Sequence, residues 1–345
     1  MTFRISRFCF PSVVPVVEIP CPVPASGRHV VSSRLIASTL LLGVLACSNA
    51  YAEINTRANF RIGVDFVDDN VSDSDYRLAD FGSVISIDGA TDLSGTTKAV
   101  GRVQLGDRDS GTRRGLAGPD LTTEVWAGLA GAWGSLRAGH QYGSFYDLIN
   151  TSVDRATWGS CWFEFECTRK ERVLKYDFAG GPLRYAFSAA MTPDDTGAVV
   201  FDQLETGIQY RSDTGVMGLA YAQYRGEDGQ ADGNTMGAVL AVNTGQTQFA
   251  LTYQSVDQEL AVTSGQFPDA SDDVRQITLY AGFGTSYLIY HQSDIGTREP
   301  SYLTAGVVQN IGPAAALIYE FQQADSDTGG DEARYGRVVF NYTMQ

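Results

Sequence analysis

The sequence contains no run of about 18 apolar residues, the minimum for a helix that spans a membrane. Its absence excludes a helical membrane protein, although 43% of the residues are hydrophobic. Proline is also scarce, with 11 residues against 37 glycines, 17 tyrosines and 17 phenylalanines. That balance is typical of many β-strands joined by tight turns.

Basic residues and histidines are few as well. The chain has 25 Lys and Arg against 40 Asp and Glu, a formal net charge of −15. Binding to phosphates requires a basic face, so this acidity argues against nucleic acid as a partner. Neither His140 nor His291 lies in a Gly-x-Ser-x-Gly or His-Glu-x-x-His motif. The sequence therefore predicts no enzyme, no cofactor and no resident metal.

Residues 1–52 predict an N-terminal extension followed by a signal peptide. An apolar stretch at 35–46 precedes Ala50-Tyr51-Ala52, which matches an A-x-A cleavage site. We expect cleavage after Ala52, which leaves 53–345 as one domain. The leader carries four Arg and one Glu, so its removal changes the formal charge from −15 to −18. The stretch Val44-Leu45-Ala46-Cys47 loosely matches a lipoprotein processing box, and lipidation is therefore an alternative.

Apolar and polar side chains alternate along most of the remaining chain. In the segment 57–66, for example, Phe60, Ile62 and Val64 occupy one parity and Arg61 and Asp65 the other. Strand side chains alternate between faces, so such a segment has one apolar side and one charged side. A sheet that is apolar outside and charged inside is a transmembrane barrel around water.

Sixteen segments follow this pattern, and their connections alternate between short turns and long acidic loops, as in outer-membrane barrels. We therefore predict an all-β fold, a 16-stranded antiparallel transmembrane β-barrel. Three segments are apolar on both parities, which we interpret as contacts between barrels in an oligomer: 216–225, 235–243 and 286–293. The sixteen predicted strands are 57–66, 80–90, 97–106, 122–131, 134–142, 171–179, 183–191, 203–211, 216–225, 235–243, 246–256, 275–283, 286–293, 301–310, 314–323 and 333–343.

Three stretches resemble the general porins of Gram-negative bacteria. Residues 80–105 resemble the second hairpin of that family, 126–140 its fourth and fifth strands, and 172–182 its sixth strand with the following turn. The resemblance implies a homotrimer in the bacterial outer membrane, in contact with its lipid and lipopolysaccharide. It also implies passive conduction of ions and small hydrophilic solutes. Porins of this family usually end in Phe, whereas this chain ends in Gln345.

The longest interruption of the pattern, 143–170, corresponds to the loop that folds into the barrel and narrows it in that family. The resemblance implies an inward-folded constriction loop here. Its acids would face cations on the wall and set up a transverse field. The acidity of the chain as a whole favours cations, whereas the arginines on the inner parity could reverse the local field. The predicted constriction comprises the loop residues Asp147, Asp154, Glu164 and Glu166 and the wall residues Arg61, Arg102, Arg137 and Lys175.

The same loop contains Cys161 and Cys167, the two cysteines that remain after cleavage. In an oxidising compartment they predict a disulfide, with two free thiols as the alternative. Aspartates cluster in two external loops and could loosely bind Ca²⁺, or simply stay hydrated: Asp68, Asp69, Asp73 and Asp75 in one, and Asp325, Asp327 and Asp331 in the other.

Two other functions remain open at this point. One is a secreted or lipid-anchored β-rich binding protein, whose apolar parity would form a packed core. The other is an outer-membrane barrel enzyme, which would need a Ser/His/acid set at one rim.

Overall fold

The structure is a computed structural model that describes residues 53–68, 75–106, 122–156, 169–193, 199–225, 232–263, 267, 269–325 and 333–344. Within these residues, 17 strand segments form one antiparallel sheet. The segments are β1 (Glu53–Asp68), β2 (Asp75–Asp80), β3 (Val84–Ser94), β4 (Thr97–Gly106), β5 (Thr122–Gly131), β6 (Gly134–Tyr142), β7 (Arg169–Gly180), β8 (Leu183–Pro193), β9 (Val199–Ser212), β10 (Gly215–Tyr224), β11 (Gly233–Thr244), β12 (Thr247–Val256), β13 (Val274–Phe283), β14 (Ser286–Asp294), β15 (Ser301–Asn310), β16 (Ala315–Asp325) and β17 (Ala333–Met344).

The segments β2 and β3 are two halves of one strand, because both pair with β1. Between them, Asp80 Oδ1 accepts the N–H groups of Gly82 at 2.9 Å and Ser83 at 2.7 Å. Ser83 Oγ in turn accepts the N–H of Arg61 at 2.9 Å, which keeps the β1 backbone satisfied across the break. The barrel therefore has sixteen strands, as predicted.

The sheet closes on itself where β1 pairs with β17, in a register that runs from Ala58 opposite Met344 to Asp68 opposite Arg334. Closure leaves the described sheet without an edge strand, as a strand structure in lipid requires. All sixteen predicted strands are present. The first begins earlier than predicted, at Glu53, because its polar start pairs with β3 up to Ala90.

The apolar parity faces outward, as the alternation predicted. On β1, Ile62 is 49% exposed and Val64 is 46% exposed. Asp65, which lies on the opposite face of the same strand, is 1% exposed. The final strand repeats the pattern with exposed Val338, Phe340 and Met344. A continuous apolar outer band of this kind is the surface that such a barrel presents to lipid.

The inner wall is polar except where chain folds against it. The described helices are α1 (Ser144–Leu148), which is followed by a 3₁₀ turn at Asn150–Ser152, and α2 (Gln258–Thr263). No helix in the described part of the chain is long and apolar enough to cross a membrane. Leu260 of α2 packs with Val256, Val274 and Ile295 at the end of the barrel that carries the long loops.

Two of the strands that are apolar on both parities, β10 and β11, are explained by this inward packing. Their inner residues Ala220, Ala222 and Val239 are buried against α1. Their outer residues, such as Leu219 and Leu240, remain exposed. The second apolar face of these strands is therefore an internal contact of the barrel.

Candidate functional site

An inward segment, residues 144–153, lies against the inside of the wall. Phe145, Leu148 and Ile149 are 0% exposed and pack on the inner residues of β8, β10 and β11. Two inner glycines make room for them. A Cβ on Gly237 would lie 2.5 Å from Phe145 Cζ, and one on Gly207 would lie 2.6 Å from Leu148 Cδ1. The wall therefore has a recess shaped to this segment.

The start of the inward segment is fixed by Glu205, an inner residue of β9 that is 2% exposed. Its carboxylate accepts the N–H of Phe145 at 2.8 Å, the Ser188 hydroxyl at 3.1 Å and the Lys170 ammonium at 2.7 Å. The Ser188 hydroxyl also accepts the N–H of Ser144 at 2.8 Å. These bonds satisfy backbone donors that the first turn of a helix leaves open.

The far end of the segment is held by two amides from the wall. Gln209 Nε2 donates to the Leu148 carbonyl at 2.7 Å. Gln254 Nε2 donates to Asn150 Oδ1 at 2.8 Å. Because both amides are nearly fully buried, their bonds are protected from water and position the segment strongly.

Asp147 is the acid by which the segment meets the wall. Its Oδ2 lies 2.5 Å from Lys175 Nζ and 3.2 Å from Arg184 Nη2. Lys175 is 1% exposed and also donates to the carbonyls of Tyr142 and Gly143, at 3.1 Å each. This buried ammonium is thus paired and hydrogen-bonded, as its burial requires.

Cations follow one another across the inner wall from β4 to β9. Arg102 Nε lies 2.6 Å from Asp88 Oδ1, Arg137 pairs with Asp177, and Arg184 Nη2 lies 2.8 Å from Asp177 Oδ1. Arg102 and Arg169 both approach Glu124, at 3.4 Å. We call six side chains the cationic band: Arg102, Arg137, Arg169, Lys175, Arg184 and Arg211.

Among the described residues, four carboxylates form ion pairs with the cationic band: Asp88, Glu124, Asp147 and Asp177. Arg211 is exposed and donates to the side-chain carbonyl of Gln209 instead. The described band therefore carries more positive than negative charge, although the whole chain is acidic.

Aromatic rings interrupt the band on the inner wall. The guanidinium carbons of Arg102 and Arg137 lie 5.8 Å and 5.1 Å from the Trp126 ring centre. Arg169 lies 4.3 Å from the ring centre of Tyr142, which stacks on Tyr146 at 3.7 Å. Cations in these positions are attracted by the ring faces.

The predicted constriction residues fall into separate groups. Asp147 meets Lys175, and Arg102 and Arg137 lie in the same band, whereas Arg61 on β1 contacts Asn341 at 3.4 Å on another part of the wall. Asp154 accepts the Tyr146 hydroxyl at 2.5 Å. Four predicted residues lie outside the described residues: Cys161, Glu164, Glu166 and Cys167. The predicted Ca²⁺ loops fall largely outside them as well.

Sequence reasoning missed several residues of this site. Asp177 on β7 and Arg184 on β8 lie on the inner face, as Lys175 does. The alternation of side chains could therefore have placed them in the predicted site. Lys170 could not be found in this way, because Arg172 forms a bulge with φ of 53° and the register with β6 shifts between Gly139 and Gln141. The bulge changes which parity of β7 faces inward.

A family model described as Gram-negative porin matches residues 37–333. The chain is also similar to the major outer membrane protein P.IB of Neisseria gonorrhoeae, at 28% identity over 211 residues. That alignment covers 56% of each chain, so the chain spans about half the length of this curated relative.

Solved structures share the architecture. The chain is similar to the anion-selective porin from Comamonas acidovorans, with a TM-score of 0.69, 17% identity and coverage of 85% of this chain and 100% of that one. It is also similar to the trimer form of in-vitro folded OmpT of Vibrio cholerae, with a TM-score of 0.59, 12% identity and coverage of 85% and 99%. At these identities the likeness shows the fold.

Proposed function

The chain belongs to the Gram-negative porin family, and from this premise we propose that it is a passive diffusion channel for ions and small hydrophilic solutes. Its place is the bacterial outer membrane. The observation that carries the proposal is a closed barrel with an apolar outer face, a charged inner wall and a segment packed inside. A lumen enclosed by sixteen strands is wide enough for water, and an inward segment narrows it.

We propose that the inward segment and the cationic band together form the constriction. The fixed position of Asp147 between Lys175 and Arg184 supports this, because the pair holds the segment against the charged part of the wall. Glu164 and Glu166 belong to the same proposal as acids of the loop. The double variant Glu164→Gln with Glu166→Gln would then weaken permeation of cations relative to anions in bilayer recordings. Unchanged permeability ratios would exclude those two carboxylates from the pore.

We further propose a preference for anions. The acidity of the chain predicts the opposite, but an ion in the lumen senses the nearest side chains most strongly. Among the described residues, the nearest side chains are those of the cationic band. The band contains six cations, and four carboxylates form ion pairs with them. The anion-selective porin with the same fold is in accord with this proposal.

We also propose a homotrimer whose outer band contacts lipid and whose long loops meet lipopolysaccharide. The trimer form of the similar Vibrio cholerae protein supports the trimer. Within the long loop, we propose a disulfide between Cys161 and Cys167. Alkylation before and after reduction, read by mass spectrometry, would show two protected thiols that become accessible only after reduction.

The test of the channel is conductance. Detergent-purified protein added to a planar bilayer in KCl is expected to give discrete current steps, with a reversal potential in a salt gradient that indicates anion preference. A protein that stays dispersed without detergent and gives no steps would instead be the binding protein. Hydrolysis of lipid or peptide substrates without conductance would support the barrel enzyme. As the proposed diffusion channel, the chain performs no bond chemistry.

A further inference from the structure

A tryptophan lies on the wet side of the barrel, between two arginines. Trp126 shares the inner face of β5 with Glu124 and is paired in register with Arg102 on β4. The guanidinium carbons of Arg102 and Arg137 lie 5.8 Å and 5.1 Å from its ring centre. Its ring remains partly accessible. A large apolar surface in a water-filled passage is not required for the passage of inorganic ions.

Each of the two guanidiniums forms an ion pair with a carboxylate on the strand that lies on its far side from Trp126. Asp88 on β3 holds Arg102, and Asp177 on β7 holds Arg137. Both carboxylates lie on the strands beyond the arginines, away from Trp126, because the strand order is β3-β4-β5-β6-β7. Arg102 also lies 3.4 Å from Glu124 on β5, whereas Asp177 is the carboxylate partner of Arg137 among the described residues. A guanidinium has five N–H donors, so Arg137 keeps donors for a second anion.

Two glycines lie beside the ring. Gly139 is the partner of Trp126 on β6, and Gly128 is the partner of Arg137 on β5. A Cβ on Gly139 would lie 2.7 Å from Trp126 Cα, and its φ of +143° disfavours any other residue. The ring and the two cations thus border a patch of wall without side chains, which we call the Trp126 recess: Arg102, Trp126, Gly128, Arg137 and Gly139.

The recess lies on a different part of the wall from the two described segments that pack inside the barrel. The segment 144–153 packs on β8, β10 and β11, and the cluster around Leu260 of α2 includes inner residues of β12 and β13. Among the described residues, the clusters that pack on these two segments include no residue of β4, β5 or β6.

We propose that the Trp126 recess is a weak binding subsite for small aromatic carboxylates. The carboxylate would accept hydrogen bonds from Arg137, with the charge of Arg102 nearby, and the planar ring would lie against Trp126 over the glycines. An aromatic ring and a guanidinium each contribute favourable contacts with such a ligand. This inference deepens the proposed function and rests on it, since the ligand must enter the lumen.

The first experiment uses the wild-type channel alone. Single-channel current in KCl is recorded while acetate, benzoate, cyclohexanecarboxylate or benzylammonium is titrated. We expect benzoate to reduce the current at the lowest concentration, because it combines the charge with a flat ring. Equal effects of benzoate and acetate would overturn the subsite while leaving the channel intact. Absence of current steps in KCl would overturn both the channel and the subsite.

The second experiment locates the effect. Trp126→Leu is expected to weaken the benzoate block by about fivefold, measured relative to the variant's own KCl current without benzoate. Trp126→Phe keeps a ring and is expected to retain most of the block. The matched control is Trp133→Leu, whose ring is 39% exposed at the β5–β6 turn and stacks on Tyr176 outside the recess. A full benzoate block in Trp126→Leu would overturn the subsite, because the ligand would not need the Trp126 ring.

Discussion

Glu205 shows how a single buried charge positions the inward segment. Its carboxylate binds a backbone N–H of α1, a serine hydroxyl and the Lys170 ammonium at the same time. Removing one partner of such a pair leaves the other charge buried without compensation, at a cost of about 3–5 kcal/mol. The residue therefore links the stability of the barrel to the position of the segment.

We predict that Glu205→Gln still forms a barrel but loosens the inward segment. The expected signs are a noisier open-channel current and a lower temperature at which the folded band converts to the unfolded band on an SDS gel. The double variant Glu205→Gln with Lys170→Met removes the uncompensated ammonium and is expected to recover part of the lost stability. If the single variant matches wild type in both measurements, Glu205 does not hold the segment.

A substitution at Gly237 tests how the same segment packs on the wall. The Phe145 ring occupies the space that a Cβ on Gly237 would need, so Gly237→Ala forces the ring to move and lowers the stability by about 1–3 kcal/mol. We predict a changed single-channel conductance, because the ring carries α1 with it. The control is Gly89→Ala on β3, where an added Cβ meets no atom within 4 Å and conductance is expected to stay the same. Identical conductance in both variants would contradict the packing argument.

At the scale of elements, alternation predicts strands well and irregularities poorly. The sixteen strands follow from period-two patterns, because the outer face meets lipid and the inner face meets water. Apolar and polar residues therefore alternate along each strand. The break at Phe81-Gly82-Ser83 and the bulge at Arg172 were not predictable in this way. Each depends on local hydrogen bonds and register, and neither alters the composition of the strand.

The bulge at Arg172 carries its own prediction. A non-glycine residue with φ of 53° is strained by about 1 kcal/mol, and a β-branched residue there is strained more. Arg172→Gly is therefore expected to unfold at a similar or higher temperature than wild type, and Arg172→Val at a lower one. The measurement is again the folded-to-unfolded band shift on heating. Equal unfolding temperatures for the glycine and valine variants would mean that this backbone conformation is not maintained in the folded barrel.

At the scale of the whole molecule, the sequence predicted the architecture, and its total charge differs in sign from the described cationic band. Total charge counts the external loops, which hold many of the acids, together with the inner wall. The described inner wall between β4 and β9 is instead rich in cations, several of them on the parity that the sequence assigned to water, such as Arg137 and Lys175. Which of them meet at one site depends on barrel closure and on where the inward segment packs, and neither is visible in a linear pattern.

The charge of the band gives the last prediction, which concerns ion preference. Arg211 is exposed on the inner wall and is bonded to Gln209, so its charge is less compensated than that of the paired arginines. Arg211→Gln is expected to lower the permeability ratio of chloride to potassium by about twofold, since a unit charge several ångströms away in water contributes less than about 1 kcal/mol.

The control is Arg275→Gln, the same change at a residue on the outward parity of β13 that is 58% exposed. Reversal potentials in a tenfold KCl gradient of about 1 M to 0.1 M measure both, with salt screening limited at the dilute side. A wild-type reversal potential that indicates cation preference, or an equal shift in both variants, would show that the cationic band does not control the ions that pass.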